Sequence, residues 1–251
     1  MAQDIILSAN GLTKEFKGFL AVNDVDLKVE RGSIHALIGP NGAGKTTCFN
    51  LLTKFLQPSR GTIVYNDRDI TRKQPADIAR LGMVRSFQIS AVFPHLTAIE
   101  NVRIALQRNR GDSFDFWRSE RVLTEFNGRA AGLLDDVGLS EFAAVRAGEL
   151  SYGRKRALEI ATTLALEPEM LLLDEPMAGM AQEDVERISQ LIRRISANRT
   201  ILMVEHNLSV VAALSNYITV LARGKVLAEG DYASVSKDPR VVEAYIGAEH
   251  A

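Results

Sequence analysis

Cysteine and tryptophan each occur once in the 251 residues, as Cys48 and Trp117. A single thiol cannot close an intramolecular disulfide, which fits a reducing compartment. With four histidines scattered at His35, His95, His206 and His250, it also excludes a cysteine-based zinc module. Charge of one sign is lacking too: 30 Lys and Arg face 31 Asp and Glu, for a net charge of −1. Binding to a polyanion by bulk charge is therefore excluded, and no nucleic-acid partner is expected. Long hydrophobic runs are missing, since stretches such as 170–173 and 201–204 fall far short of the roughly 18 residues of a membrane helix. The opening MAQDIILSAN has neither a basic leader nor a small-residue cleavage site, so no signal peptide is expected.

What is present suits a globular chain: 46% of residues are apolar and 24% charged. At roughly 150 residues per domain, the length predicts one core with a subdomain. The first ~85 residues carry short apolar strands separated by Gly, Asn and Asp. Residues 21–30 alternate around Val22, Val25, Leu27 and Val29, and 33–38 are nearly all apolar, as a strand buried on both faces should be. A glycine-rich loop follows, then helical spacing over 45–56 at Phe49, Leu52 and Phe55. From about 97 to 166 the pattern is helical. Ile99, Val102 and Leu106 share one face; Val122, Leu123, Phe126, Leu133, Leu134 and Val137 continue it, with a polar loop over 108–117. Strand and helix then alternate: a strand at 170–173, a helix over 183–196, a strand at 200–204 and a helix from Leu208. A hairpin around Arg223-Gly224-Lys225 and a helix from Pro239 close the chain.

Three segments carry chemistry. Gly39, Pro40, Asn41, Gly42, Ala43, Gly44, Lys45 and Thr46 match the phosphate-loop pattern of Gly, four residues, then Gly-Lys-Ser/Thr. The glycines let backbone N–H groups face a phosphate, the helix start adds positive potential, Lys45 brings a cation and Thr46 a hydroxyl for Mg²⁺. Leu171-Leu172-Leu173-Asp174-Glu175 reads as a strand ending in two carboxylates, with Asp174 suited to a magnesium shell and Glu175 to general-base work. Leu150-Ser151-Tyr152-Gly153 opens a helix; Ser151 serves either as a plain N-cap or, with the Gly153 backbone, as an anion site, and the segment alone leaves both open.

The ordered set resembles the ATP-binding subunits of ATP-binding cassette (ABC) transporters. The order is the phosphate loop, Gln88 in Ser86-Phe87-Gln88, residues 150–153, Asp174-Glu175-Pro176, and His206 in Val204-Glu205-His206. The resemblance covers the chain from about residue 5. It implies an α/β fold: a P-loop NTPase (RecA-like) core at 1–90 and 167–251, an N-terminal antiparallel β-subdomain and an inserted α-helical subdomain at about 91–166. It further implies ATP and Mg²⁺ as ligands, in a head-to-tail dimer where each phosphate loop faces the partner's Ser151 and Gly153. Phe16 would stack on adenine, with Phe19 as a near competitor. Lys45 and Thr47 would complete the phosphate loop, Thr46, Asp174 and Gln88 would serve the metal, and Glu175, His206, Gln88 and Lys45 would carry catalysis.

Three positions depart from the family pattern: Tyr152 and Arg154 within and after residues 150–153, and Ala181 where the dimer-contacting loop usually has Asp. The Leu-Ser-Tyr-Gly segment, residues 158–161 and the ending Asp238-Pro239-Arg240-Val241 with Ala244-Tyr245-Ile246-Gly247 look like importer ATPases of the branched-chain amino acid type. Transmembrane permeases, a second ATPase copy or paralogue, and an external substrate-binding protein are the partners this implies. The implied location is peripheral, on the cytoplasmic face of the inner membrane. The rivals are the ATPase of a lipopolysaccharide-type exporter and a soluble non-transport cassette. A guanine-nucleotide switch is disfavoured, since no Asn-Lys-x-Asp segment occurs. Arg154-Lys155-Arg156 reads as a solvated face and Cys48 as packing.

Overall fold

The all-apolar run Ile34–Ile38 forms strand β3, and all five of its residues are buried. That burial requires neighbours on both sides and cover on both faces, the environment of a parallel sheet. The computed structural model describes residues 4–86, 92–107 and 126–249, which divide into two units. The first holds the chain through Arg85, Glu169–Pro176 and the chain from Arg193 onward. It contains two sheets. β1 (Ile5–Phe16), β2 (Phe19–Glu30), β4 (Arg60–Tyr65) and β5 (Arg68–Asp69) form the first, antiparallel and ordered β2-β1-β4-β5. Its long hairpin turns at Lys17 and Gly18, both in the left-handed region at φ 49° and 90°, as a tight two-residue turn demands.

The second sheet adds to β3 the strands β6 (Met83–Ser86), β7 (Met170–Asp174), β8 (Thr200–Val204), β9 (Tyr217–Ala222) and β10 (Lys225–Gly230), in the order β10-β9-β3-β8-β7-β6. β3 pairs in parallel with β8 and β9, and β7 with β8, while β10 runs antiparallel to β9. Leu37 and Asp174 both register against Val204. The chain therefore leaves β3, β8 and β7 at one level, on the carboxyl edge where open parallel sheets bind ligands.

The core of this unit joins both sheets to helix α1 (Lys45–Leu52): Leu12, Leu27 and Tyr65 belong to the same buried cluster as Phe49, Leu172 and Leu202. Helical spacing in the sequence continues to residue 56, but the helix stops at Leu52 because Lys54 turns left-handed, at φ 63°. Phe55 lies beyond that stop and is half exposed, so it is not the core residue its spacing suggests. Helices α2 (Pro75–Arg80), α7 (Leu208–Leu214), α8 (Tyr232–Val235) and α9 (Pro239–Glu249) complete the unit. On α9 Val241 is buried and Val242 exposed.

The second unit comprises 86–168 and 177–192. Its described helices are α3 (Ala98–Gln107), α4 (Asn127–Asp136), α5 (Tyr152–Leu164) and most of α6 (Gln182–Ile195). Residues 177–192 thus fall with the helical unit, whereas the sequence placed everything from 167 with the core. Thr97 and Glu100 cap α3 reciprocally: the Thr97 N–H donates to Glu100 at 2.7 Å, and the Glu100 N–H to the Thr97 hydroxyl at 3.4 Å. Buried Asn101 accepts from the Phe93 N–H at 2.7 Å and donates to the carbonyls of Phe93 and Thr97. The polar loop expected at 108–117, and Val122 and Leu123, lie outside the described residues.

His35, in the middle of β3, shows how closed the first unit is. Its Nε2 lies 2.9 Å from the Thr219 hydroxyl, which itself donates to Glu229 at 2.7 Å. A carboxylate only accepts, so the single hydroxyl proton goes to Glu229 and His35 Nε2–H donates to the Thr219 oxygen. Burial pushes the His35 pKa down from 6.5 to about 4. An unfolded chain takes up this proton near pH 6.5, so the stability contributed is complete above that pH and falls as pH drops towards 4. At ~1.4 kcal/mol per pH unit the loss reaches about 3 kcal/mol. Urea unfolding at pH 7 and at pH 4.5 should show this drop, and His35→Gln should flatten it; an unchanged pH slope in that variant would assign the acid sensitivity elsewhere.

Candidate active site

The phosphate loop is shaped by backbone crowding as much as by freedom of φ. Gly39 sits at φ 146°, and a Cβ there would lie 2.0 Å from the Leu221 carbonyl oxygen. Gly44 sits at φ 99°, where a Cβ would lie 2.5 Å from the carbonyl oxygen of Ala21 in β2. At Gly42, φ 76°, the space is open. The first and last of these glycines therefore serve close packing and the middle one conformation alone. The sequence did not point to the clamp behind the loop. Gly224, in the β9–β10 turn, donates its N–H to Ala43 at 2.9 Å and accepts from the Asn23 N–H at 2.8 Å. Asn41 is exposed and Pro40 half-buried.

Lys45 folds into this loop, its Nζ donating to the carbonyls of Gly39 at 2.7 Å and Pro40 at 3.0 Å. Burial lowers its pKa, and the nearby Glu175 carboxylate opposes that shift. Helix α1 starts at Lys45 behind Gly44, with no side-chain cap and no acidic residue in its first turn. Its positive end is thus left for an external anion. Thr46 is exposed and Thr47 half-buried in that turn, while Cys48 is fully buried, with its thiol pushed up to about 12. The packing role expected for Cys48 matches this burial.

Asp174 ends β7 and is buried. The Arg85 guanidinium pairs with it at 2.5 Å and also reaches Asn50 of α1 at 2.5 Å. Glu175 follows in the left-handed region, at φ 45°, its N–H held by the Val204 carbonyl at 2.9 Å. That turn aims its side chain at His206, and Glu175 Oε1 lies 2.5 Å from His206 Nε2. His206 is placed in turn by Glu205, whose buried carboxylate accepts from the N–H groups of His206 at 3.0 Å and Asn207 at 3.3 Å. Asn207 then caps α7 through its side chain. Arg85 belongs to no motif read from the sequence, and Glu205 carries no assigned role within Val204-Glu205-His206, because a charged side chain turned inward leaves no periodic signal.

Phe16 and Phe19 face each other across the β1–β2 turn, 42% and 68% exposed, so neither is core. Lys14 Nζ lies 5.1 Å over the Phe16 ring. Ala21, against Gly44, is two residues from Phe19, about 7 Å along a strand. One unit thus brings together Phe16, the loop from Gly39 to Thr47, Asp174, Glu175 and His206. Ser151 and Gly153 belong to the second unit, and Gln88 lies outside the described residues.

Ser151 occupies the N-cap position of α5, but its side chain makes no capping hydrogen bond. At Gly153 a Cβ would lie 2.3 Å from the Asp184 carboxyl carbon, so the glycine admits α6. The solvated face expected for Arg154-Lys155-Arg156 is not what folds. Arg156 is buried and paired with Glu159 at 2.7 Å, and the Arg154 guanidinium lies 3.9 Å over the Phe142 ring. Tyr152 and Ala181 are exposed.

A carboxylate gripped by an imidazole, on one sheet edge with a phosphate-type loop, can take a proton from water while a bound phosphate chain is held in place. Comparison with known proteins agrees in kind. The model for the family "ABC transporter" matches residues 22–178, and that for "Branched-chain amino acid ATP-binding cassette transporter" matches 225–251. The high-affinity branched-chain amino acid transport ATP-binding protein BraF of Pseudomonas aeruginosa is 41% identical over 96% of this chain and 98% of its own length. LivG of Escherichia coli K12, described in the same terms, is 39% identical over the same shares. The crystal structure of the ADP conformation of MJ1267, an ATP-binding cassette of an ABC transporter, superimposes with a TM-score of 0.86 at 33% identity, covering 97% of this chain and 99% of that one. The chain belongs to the ABC transporter family of ATP-binding cassettes.

Proposed function

We propose that this chain hydrolyses ATP to drive an importer for branched-chain amino acids or related small polar solutes, through separate membrane permeases. The observation that carries the chemistry is the 2.5 Å contact of Glu175 with His206, on the sheet edge that also bears the Lys45 loop. Both relatives, BraF and LivG, are named as branched-chain amino acid transport ATP-binding proteins, and the match over 225–251 supports the same class. No helix among the described residues is long and apolar enough to cross a membrane. The bilayer crossing is assigned to partner permeases, with this chain at their cytoplasmic face and an external binding protein delivering solute.

The residues divide the work by type. The loop from Gly39 to Thr47, through its backbone N–H groups from Asn41 onward, and the Lys45 ammonium hold the β- and γ-phosphates, and Phe16 stacks on adenine. Thr46 and Asp174, with Gln88, offer the hard oxygen donors that Mg²⁺ takes. Bound there, the ion screens the charge of the phosphate oxygens. Glu175 accepts the proton of the attacking water; His206 contacts the γ-phosphate and orients Glu175 and the water. Ser151, its hydroxyl uncommitted to a cap, and Gly153 serve the γ-phosphate of a second copy or paralogue in a head-to-tail dimer.

Two sets of variants test this reading. Glu175→Gln should lower ATP turnover by at least about 100-fold, the usual scale for a lost general base, while nucleotide still binds. With MgATP that variant should run at the mass of a dimer in light scattering, and a persistent nucleotide-bound monomer would overturn the sandwich. Second, Lys45→Ala and Ser151→Ala chains, each inactive alone, should recover activity when mixed. Only the mixed dimer joins an intact loop to an intact Ser151, and no recovery would place both residues in one subunit's site.

A further inference from the structure

Arg85 belongs to no motif, yet it bridges a strand end and a helix beside the site. It is the third residue of β6, and its side chain is 12% exposed. One guanidinium nitrogen meets Asp174 Oδ2 at 2.5 Å; the other meets Asn50 Oδ1 at 2.5 Å and the Thr53 hydroxyl at 3.5 Å. The Phe49 and Phe55 rings lie 5.1 and 5.6 Å from its central carbon. The contacts thus run from the strand end bearing Asp174 to the helix that starts at Lys45.

We propose that Arg85 is a positioning residue that fixes how Asp174 faces helix α1, and thereby sets how much divalent cation the nucleotide site requires. This rests on the reading of Asp174 as a magnesium ligand. Two features go beyond charge compensation for a buried carboxylate. The planar fork is used on both sides, so the Asp174 oxygen is referenced to the helix carrying Thr46 as well as neutralised. The guanidinium is flanked by two aromatic rings, which limits its rotation. A group that orients a metal ligand in this way controls affinity for the ion more than affinity for the organic ligand.

The test uses the full chain loaded with ADP, with Mn²⁺ as the probe followed by electron paramagnetic resonance, at a temperature where circular dichroism shows each variant folded. Arg85→Met should raise the half-saturating Mn²⁺ about tenfold, the lower end for loss of a group supporting a metal ligand, with metal-free ADP affinity within about twofold of the parent. Arg85→Lys keeps the charge and loses the fork, and Asn50→Ala keeps the ion pair and loses the anchor; each should produce a smaller rise. In turnover assays the Mg²⁺ requirement should shift while kcat recovers at high Mg²⁺. An unchanged or lowered Mn²⁺ requirement in Arg85→Met would overturn the proposal. Should that variant not fold, unchanged requirements in both Arg85→Lys and Asn50→Ala would do the same. Asp174→Asn separates the layers: if it keeps the parental Mn²⁺ dependence, the metal reading of Asp174 falls and the proposal with it. If it loses that dependence while the Arg85 variants do not, only the role of Arg85 falls.

Discussion

Everything at the site depends on the row in which Leu37 and Asp174 register against Val204 across β3, β8 and β7. Side chains alternate between the two faces of a strand, so a slip of one residue in any of the three would exchange the sets packed on the two sides of the sheet. All five residues of each strand are buried, so both sets are fitted to their cover and a slip would disrupt the packing on both sides. With the row locked, Gly39, Glu175 and His206 emerge within one or two residues of the same level. The 2.5 Å contact of Glu175 with His206 is a consequence of this register, since the loops after β7 and β8 are too short to search for one another.

Crowding behind the phosphate loop converts that register into a rigid cradle. Gly39 and Gly44 admit the backbones of Leu221 and Ala21, and Gly224 ties Ala43 to Asn23. The loop is thus held by β9, β2 and the β9–β10 turn, and cannot reshape without disturbing both sheets. A preorganised set of N–H groups stabilises developing phosphate charge with little reorganisation, whereas a loose loop would have to be ordered at each turnover.

Local rules recover some of this and miss the rest for definable reasons. The loop from Gly39 to Thr46 is legible because its chemistry is confined to eight adjacent positions, and β7 because an all-apolar run ending in carboxylates has few other uses. Strand order is not legible: β3 lies between β8 and β9, far from both in sequence. Arg85 meets its partner 89 positions away, a pairing with no local trace. Two expectations fail through geometry. Phe55 keeps helical spacing but follows the left-handed Lys54, and Arg156 is turned inward on Glu159 although its neighbours Arg154 and Lys155 suggest a solvated face. Ser151 reads as a cap or as an anion contact; it takes the N-cap position, and its side chain makes no cap hydrogen bond.

Glu175 sharpens the distinction between fold and function within a single residue. A left-handed conformation at a non-glycine position costs on the order of 1 kcal/mol, and glycine would fit φ 45° without strain. The N–H to Val204 carbonyl bond would survive that replacement, so the backbone alone does not ask for a glutamate. What the replacement removes is the carboxylate that His206 meets, itself oriented through the buried Glu205. A strained residue whose side chain meets His206, backed by a buried group that holds His206 in place, accords with the proposed role of Glu175 as proton acceptor.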